Sequence, residues 1–355
     1  MNTKTIERFP LAFLNPPLND KTYLELGDAK ITNEAFWYIG FTDSSQGPEA
    51  WMRGESLDMA LETLRRDQDC NAYKIDIANS NSAQVFHFVS KVESEDGSGK
   101  DYDAYRNRYQ DKQWIFVVIN DAFGDVENDG TSGTHWSLVA LDRLHKTVHY
   151  FDSLFVRYED DQQTAHMVGW GLLRILGEDL DCWTFQPELN SPHQKHNNLD
   201  KGDIGPCGPF VYNLTKLQIM RIKHCQDTGM GKHCTLELPA QYPVWFGTSF
   251  NSKLVRGQIQ LQIMRWRRRV DAERLANEQS QPAVQGEAAG SVDGPPTTPD
   301  IPRSSTHQRD VSGLDIESPV HGISDGEPSA SRTAMSPRPE SPDPSRNLDL
   351  YEDVE

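Results

Sequence analysis

Leu57, Ala60, Leu61 and Leu64 recur at helical spacing through an otherwise polar stretch that opens at Trp51, which predicts an amphipathic helix there. Ala83 to Val89 and Gln113 to Asn120 are the next apolar segments. Within the second, Trp114 to Ile119 is an unbroken apolar run, the pattern of a strand buried on both faces. Trp136 to Leu141 reads as another strand and Thr147 to Asp152 as its hairpin partner, joined by the polar connection Asp142 to Lys146. Gln162 to Leu176 predicts a helix carrying Met167, Trp170, Leu173 and Leu176, followed by a short strand from Cys182 to Phe185 and a helix from Pro209 to Ile222. Val255, Ile259, Ile263, Trp266 and Val270 line one face of a last helix, from about Ser252 to Ala276. Helix, central strands and helix again make the fold class α+β, not doubly wound α/β.

The pattern gives out near Asn277. Beyond it roughly 15 acids face 5 bases, Tyr351 is the only aromatic, and Pro, Ser and Gly abound, so this segment cannot bury enough apolar surface to offset chain entropy. The expected organisation is an N-terminal arm over 1–44, containing Pro10, Pro16 and Pro17; a main domain over 45–225; an extension with the amphipathic helix over 226–276; and a disordered acidic tail over 277–355. Thr298-Pro299, Ser318-Pro319, Ser336-Pro337 and Ser341-Pro342 in the tail are either proline-directed phosphorylation sites or common dipeptides of a Ser/Pro-rich segment. The tail is also a candidate for binding other proteins.

A formal net charge of -18 argues against a nucleic-acid partner. Five cysteines (Cys70, Cys182, Cys207, Cys225 and Cys234) lack framework spacing and suggest free thiols in a reducing compartment. Without an apolar run long enough to span a bilayer and without a secretory h-region, the expectation is a protein with no membrane partner. Arg265, Arg267, Arg268 and Arg269 read as the charged flank of the last helix, with a nuclear-import signal as the alternative.

Chemistry concentrates at three places. Cys207 lies in Gly205-Pro206-Cys207-Gly208-Pro209-Phe210, a tight loop entering a helix, where unpaired backbone N–H groups favour an anion. A helix N-terminus and a nearby imidazolium both lower a thiol pKa. His135 opens one predicted strand and Asp152 closes its antiparallel neighbour, so the hairpin brings a base and a carboxylate together. Asp152 is expected to accept the Nδ1 proton of His135 and so fix its tautomer. Each residue alone reads as structural, a buried cysteine and an unrelated histidine; together they have the composition of a nucleophile, its base and the base's orienter. His224-Cys225 and His233-Cys234 supply zinc-ligand types at a spacing that matches no closed site, so no metal is expected. Asp160 and Asp161 read as a solvated helix start.

The segments His135-Trp136-Ser137-Leu138-Val139-Ala140-Leu141-Asp142, Tyr150-Phe151-Asp152-Ser153-Leu154 and Pro206-Cys207-Gly208-Pro209-Phe210 resemble the Ulp1-type cysteine proteases, which include the SUMO and NEDD8 deconjugating enzymes. Trp51-Met52-Arg53-Gly54 is similar to a degenerate form of the family's Trp-Leu-Asn-Asp opening. The resemblance covers roughly Trp51 to Leu217. It implies a papain-like fold, a central mixed β-sheet flanked by helices, with His135 as general base, Asp152 as its orienter and Cys207 as nucleophile. It also implies a glutamine that donates to the oxyanion. Gln194 is the best match, thirteen residues before Cys207 where the family has about half a dozen, so Lys195 to Asp203 must loop out; Gln186, Asn197 and Asn198 remain alternatives. Trp136 and Trp51 match the aromatic walls of a narrow tunnel for a Gly-Gly tail, and Gly54 replaces an acidic family position.

What the resemblance implies is a thiol protease or isopeptidase, with no cofactor, in the nucleus or cytoplasm. Its partner would be a ubiquitin-like modifier, SUMO ahead of NEDD8. The alternatives are a deubiquitinase or acetyltransferase of the same fold, and an inactive modifier-binding module.

Overall fold

The computed structural model describes residues 15–41, 51–92, 102–124, 135–154, 159–194 and 205–280. An antiparallel hairpin, β1 (Thr22–Leu26) and β2 (Ala29–Thr32), leads into helix α1 (Asn33–Tyr38), whose first turn is capped by the Thr32 hydroxyl accepting from Ala35 N at 3.1 Å. Then come α2 (Gly54–Asp67), β3 (Ile75–Ala78), α3 (Ser80–Lys91) and α4 (Asp103–Tyr109). They are followed by β4 (Trp114–Asn120), β5 (Trp136–Asp142), β6 (Thr147–Phe151), α5 (Glu159–Leu176) and β7 (Thr184–Pro187). The last helices among the described residues are α6 (Cys207–Asp227), α7 (Tyr242–Ser249) and α8 (Ser252–Ser280).

Strands β3 to β7 form one five-stranded mixed sheet in sequence order: β3 and β4 run parallel, β4, β5 and β6 alternate antiparallel, and β7 joins β6 in parallel. The unbroken apolar run of β4 is explained by its position inside this sheet. Trp114, Phe116 and Val118 face a core shared with α2, α6 and α8, while Ile115, Val117 and Ile119 face a second core built on α3, α4 and α5. Strand β5 divides likewise, with Leu138 and Ala140 on the first face and Val139 and Leu141 on the second. Period-2 side-chain geometry requires both faces to be apolar when both are covered by helices. The architecture is the expected α+β arrangement, a mixed sheet flanked by helices.

Two local features hold the layers in register. The β5–β6 turn is closed by Asp142, whose Oδ1 accepts from Leu144 N at 3.0 Å and His145 N at 3.2 Å. Helices α3 and α5 touch backbone to backbone at Gly171, where an added Cβ would lie 2.6 Å from the Phe86 carbonyl carbon. Only glycine allows that approach.

Some elements add to the sequence reading and others differ from it. Ala83 to Val89 lies in a helix, started by Asn79, whose side-chain oxygen accepts from Ser82 N at 2.8 Å. Helix α6 starts at Cys207, two residues before the expected Pro209; proline in the first turn is harmless because its missing N–H would have had no intrahelical partner. Cys182 closes a 3-10 turn, and the strand begins after it at Thr184. Tyr23, Leu24, Ile31 and Phe36, from the segment read as an arm, enter the same core as α2 and α8. In the arginine cluster, Arg267 bonds Asp271 and the Tyr23 carbonyl, and Arg269 pairs with Asp67 at 3.3 Å. No helix of the described residues is long and apolar enough to cross a membrane. The acidic tail beyond Ser280, with its Ser/Thr-Pro sites, lies outside the described residues.

Candidate active site

Pairing of β4 with β5 ends at Asn120 opposite Trp136, and pairing of β5 with β6 at Leu138 opposite Phe151. His135 and Asp152 therefore sit just past the ends of neighbouring strands. The His135 backbone is pinned to the end of β4: its N–H donates to Asp121 Oδ1 at 3.1 Å, and Asp121 N–H donates to its carbonyl at 3.2 Å. Across the open end of the hairpin, His135 Nε2 lies 2.7 Å from Asp152 Oδ1, and both side chains are buried. The carboxylate is held in turn by Leu154 N–H on Oδ1 at 2.8 Å and the Tyr150 hydroxyl on Oδ2 at 3.2 Å. The expectation that Asp152 takes the Nδ1 proton is corrected here. Nε2, at the outer edge of the ring, is the nitrogen that reaches the neighbouring strand, which leaves Nδ1 for another partner.

The ring's second neighbour comes from α6. Cys207 is the first residue of the helix, free, and only 4% exposed. Its N-cap, Pro206, makes no side-chain capping bond, so the helix start presents backbone N–H groups and the positive end of the helix dipole to the thiol. Burial works against a charged imidazole, yet hydrogen bonds from His135 to Asp152 and Cys207, and the charges of both, push its pKa up from 6.5 to about 10. The ring is thus an imidazolium at neutral pH, bracketed by a carboxylate and a sulfur. Such an arrangement can deliver a proton to a leaving group and take one back from water.

Gln194 is brought to the same end of the hairpin. Its backbone N–H donates to the Ser153 carbonyl at 2.8 Å, and its side-chain Oε1 accepts from the Ser153 hydroxyl at 3.0 Å. With the oxygen so held, the amide turns its N–H donors away from Ser153. Gln186 sits on β7 opposite His149 and already donates to Glu188 Oε1 at 3.0 Å. Asn197, Asn198 and the insert Lys195 to Asp203 lie outside the described residues.

The two tryptophans occupy different settings. Trp136 is buried, with its indole N–H on the Met52 carbonyl at 2.8 Å. Trp51, just ahead of α2, is half-buried. Gly54 lies under the Trp136 ring: a Cβ there would be 3.5 Å from its edge, ordinary contact distance. Met52, to which the sequence reading gave no role, packs against Gly208, beside Cys207; a Cβ on Gly208 would lie 2.7 Å from Met52 Cβ. A second buried histidine–carboxylate pair was also not anticipated. His149 Nδ1 bonds Glu188 Oε1 at 2.7 Å, and Glu188 Oε2 accepts from Leu238 N at 3.1 Å, which fastens the segment after α6 to the sheet edge. Among the described residues, no group of three or more His, Cys, Asp or Glu side chains is arranged to hold a metal ion, and Asp160 and Asp161 fall in the first turn of α5.

No protein-family model matches the chain, and no curated protein matches it. Among solved structures, it is similar to the Xanthomonas campestris effector protein XopD bound to ubiquitin, at 19% identity and a TM-score of 0.37 over 61% of this chain and 90% of that one. It is similar to the SUMO protease Ulp1 with its catalytic cysteine oxidised to a sulfinic acid, at 13% identity and a TM-score of 0.41 over 70% and 91% of the two chains. The Ulp1-like SUMO protease catalytic domain of Chaetomium thermophilum gives 14% identity and a TM-score of 0.38 over 71% and 84%.

Proposed function

We propose that this chain is a cysteine protease of the Ulp1 type, cleaving after the C-terminal Gly-Gly of a ubiquitin-like modifier, with SUMO ahead of NEDD8. The observation that carries the reading is the 2.7 Å bond between His135 Nε2 and Asp152 Oδ1, with Cys207 hydrogen-bonded to the same ring. Two residues of one hairpin and a third from a helix far along the chain meet in the order that the three sequence motifs imply.

In this reading the proton of the Cys207 thiol passes to His135, Asp152 stabilises the imidazolium, and the sulfur attacks the carbonyl carbon of the modifier's last glycine. The backbone N–H of Cys207 and the side-chain amide of Gln194 donate to the oxyanion. As the tetrahedral intermediate collapses, the C–N bond breaks and His135 hands its proton to the departing amine, leaving a thioester. A water molecule then gives a proton to His135 and attacks the thioester; the C–S bond breaks, the modifier's carboxylic acid leaves and gives its proton to solvent, and the Cys207 sulfur stands again beside the protonated ring. Selectivity for glycine is supported by burial: with Cys207, His135 and Trp136 all nearly closed off, a chain without side chains has the readiest approach.

The test is incubation with SUMO, NEDD8 and ubiquitin probes carrying a C-terminal thiol-reactive group, with Cys207→Ala as control. A gel-shifted adduct that disappears in the variant is the expected result. Binding of a modifier with no covalent adduct would replace the protease by an inactive binding module.

A further inference from the structure

Arg256 is among the largest side chains sealed inside the molecule, 1% exposed on helix α8. Its Nη1 donates to the Ile39 carbonyl at 3.1 Å and its Nη2 to the Gly205 carbonyl at 2.7 Å. A buried guanidinium is tolerated only where its donors are matched, and 2.7 Å is the length of a charge-assisted bond. One of the two carbonyls closes α1; the other stands two residues ahead of Cys207.

The local covalent structure turns that second bond into a stiff lever. Gly205, Pro206 and Cys207 are all buried. The peptide plane that Arg256 grips, Gly205–Pro206, is joined to the plane carrying the Cys207 N–H by two rotations only. The pyrrolidine ring locks the first, with Pro206 φ at −77°. The second, ψ at −5°, is fixed by the helical bond from Phe210 N–H to the Pro206 carbonyl at 2.9 Å. With no side-chain cap on α6, orientation of its first N–H and of the Cys207 side chain passes back through Pro206 to the guanidinium.

We infer that Arg256 is a positioning residue for the nucleophile, holding the Gly205–Pro206 plane so that the Cys207 N–H and Sγ face the reacting carbonyl. The inference rests on the protease reading of Cys207. It makes helix α8 part of the reaction machinery.

The experiment compares wild type with Arg256→Lys, which keeps the charge but loses the planar fork, and Arg256→Met, which keeps the length without the charge. Rates are taken per folded molecule, below each variant's melting transition, on a modifier with a fluorogenic C-terminal amide, alongside the rate of adduct formation with the thiol-reactive probes. The expected result is a kcat lowered ~10- to 100-fold, with Lys less affected than Met, at a KM within about twofold of wild type, because the modifier's docking surface is untouched. Adduct formation slows by a similar factor. Either variant folding and turning over at the wild-type kcat, or losing activity only through a raised KM, overturns the inference while leaving the protease reading in place. A wild-type protein that forms no adduct with any probe removes the protease reading and the inference together.

Discussion

The indole N–H of Trp136 donates to the carbonyl oxygen of Met52, and the Met52 side chain lies against Gly208. The residue after the proposed base is thereby linked, through one methionine, to the residue after the proposed nucleophile. The strand end and the helix start are set against each other at van der Waals distance, with no slack between them.

Gly208→Ala should therefore damage both stability and turnover. The new Cβ would meet Met52 Cβ at 2.7 Å and Sδ at 3.1 Å, so α6 or the Met52 backbone must move. Overpacking of this kind costs roughly 1–3 kcal/mol. Met52→Ala keeps the offending Cβ and should not rescue the variant, whereas Met52→Gly should. Urea unfolding of the two double variants checks this, and equal recovery in both would contradict the contact.

The pH dependence follows from His135, whose pKa stands at about 10, raised by Asp152 and Cys207 against burial. Turnover should hold across neutral pH and fall as pH rises through about 10, where the ring loses the proton it gives to the leaving amine. Asp152→Asn removes a negative neighbour, so the descending limb should move to lower pH. Since the folded pKa lies above the unfolded 6.5, the ring's contribution to stability is complete below about 6.5 and is lost as pH rises through about 10. A kcat/KM profile for Asp152→Asn that differs from wild type only in height would sink the assignment.

Gln194 and Gln186 can be separated by rate. Gln194→Ala should lower kcat by ~10²–10³-fold, the usual loss for one oxyanion donor, and Gln186→Ala should leave it near wild type because its amide is engaged with Glu188. Ser153→Ala releases the oxygen of Gln194 and should fall between the two. A Gln186 variant with the larger defect would reverse the assignment.

Gly171→Ala tests the layer packing away from the site. A Cβ there runs into the Phe86 backbone, which cannot rotate aside as a side chain would. A loss of ~3 kcal/mol or more is expected, read from the shift in a denaturation midpoint at constant slope. An unchanged midpoint would mean that α3 and α5 are not in such close contact.

Strands β4 and β5 were legible because each is long and apolar on both faces, and β6 because Val148, Tyr150 and Phe151 follow a polar turn as a hairpin partner would. The His135–Asp152 meeting followed from the hairpin alone. Strand β3 was not legible: four residues long, it carries buried Asp76, whose charge is answered by Arg108 at 3.1 Å, a partner the local pattern does not contain. Which ring nitrogen faces Asp152 depends on how the imidazole leaves the strand, and spacing is blind to that. Gln194 could be proposed by motif, but its anchor on Ser153 lies 41 residues away. Arg256 gave no signal at all, as one more arginine in a helix with an apolar stripe; its role comes from carbonyls supplied by two distant loops.

Arg256 follows Gly205 by 51 residues. During synthesis, His135, Asp152 and Cys207 leave the ribosome well before the arginine that steadies the nucleophile's turn. If the guanidinium is needed for turnover, the nascent chain emerges with its thiol and base complete but not yet aligned, and it acquires full competence only once α8 has folded back. Competence would then appear only after α8 has emerged, when the sheet and the helices that precede it are already in place to confine the sulfur.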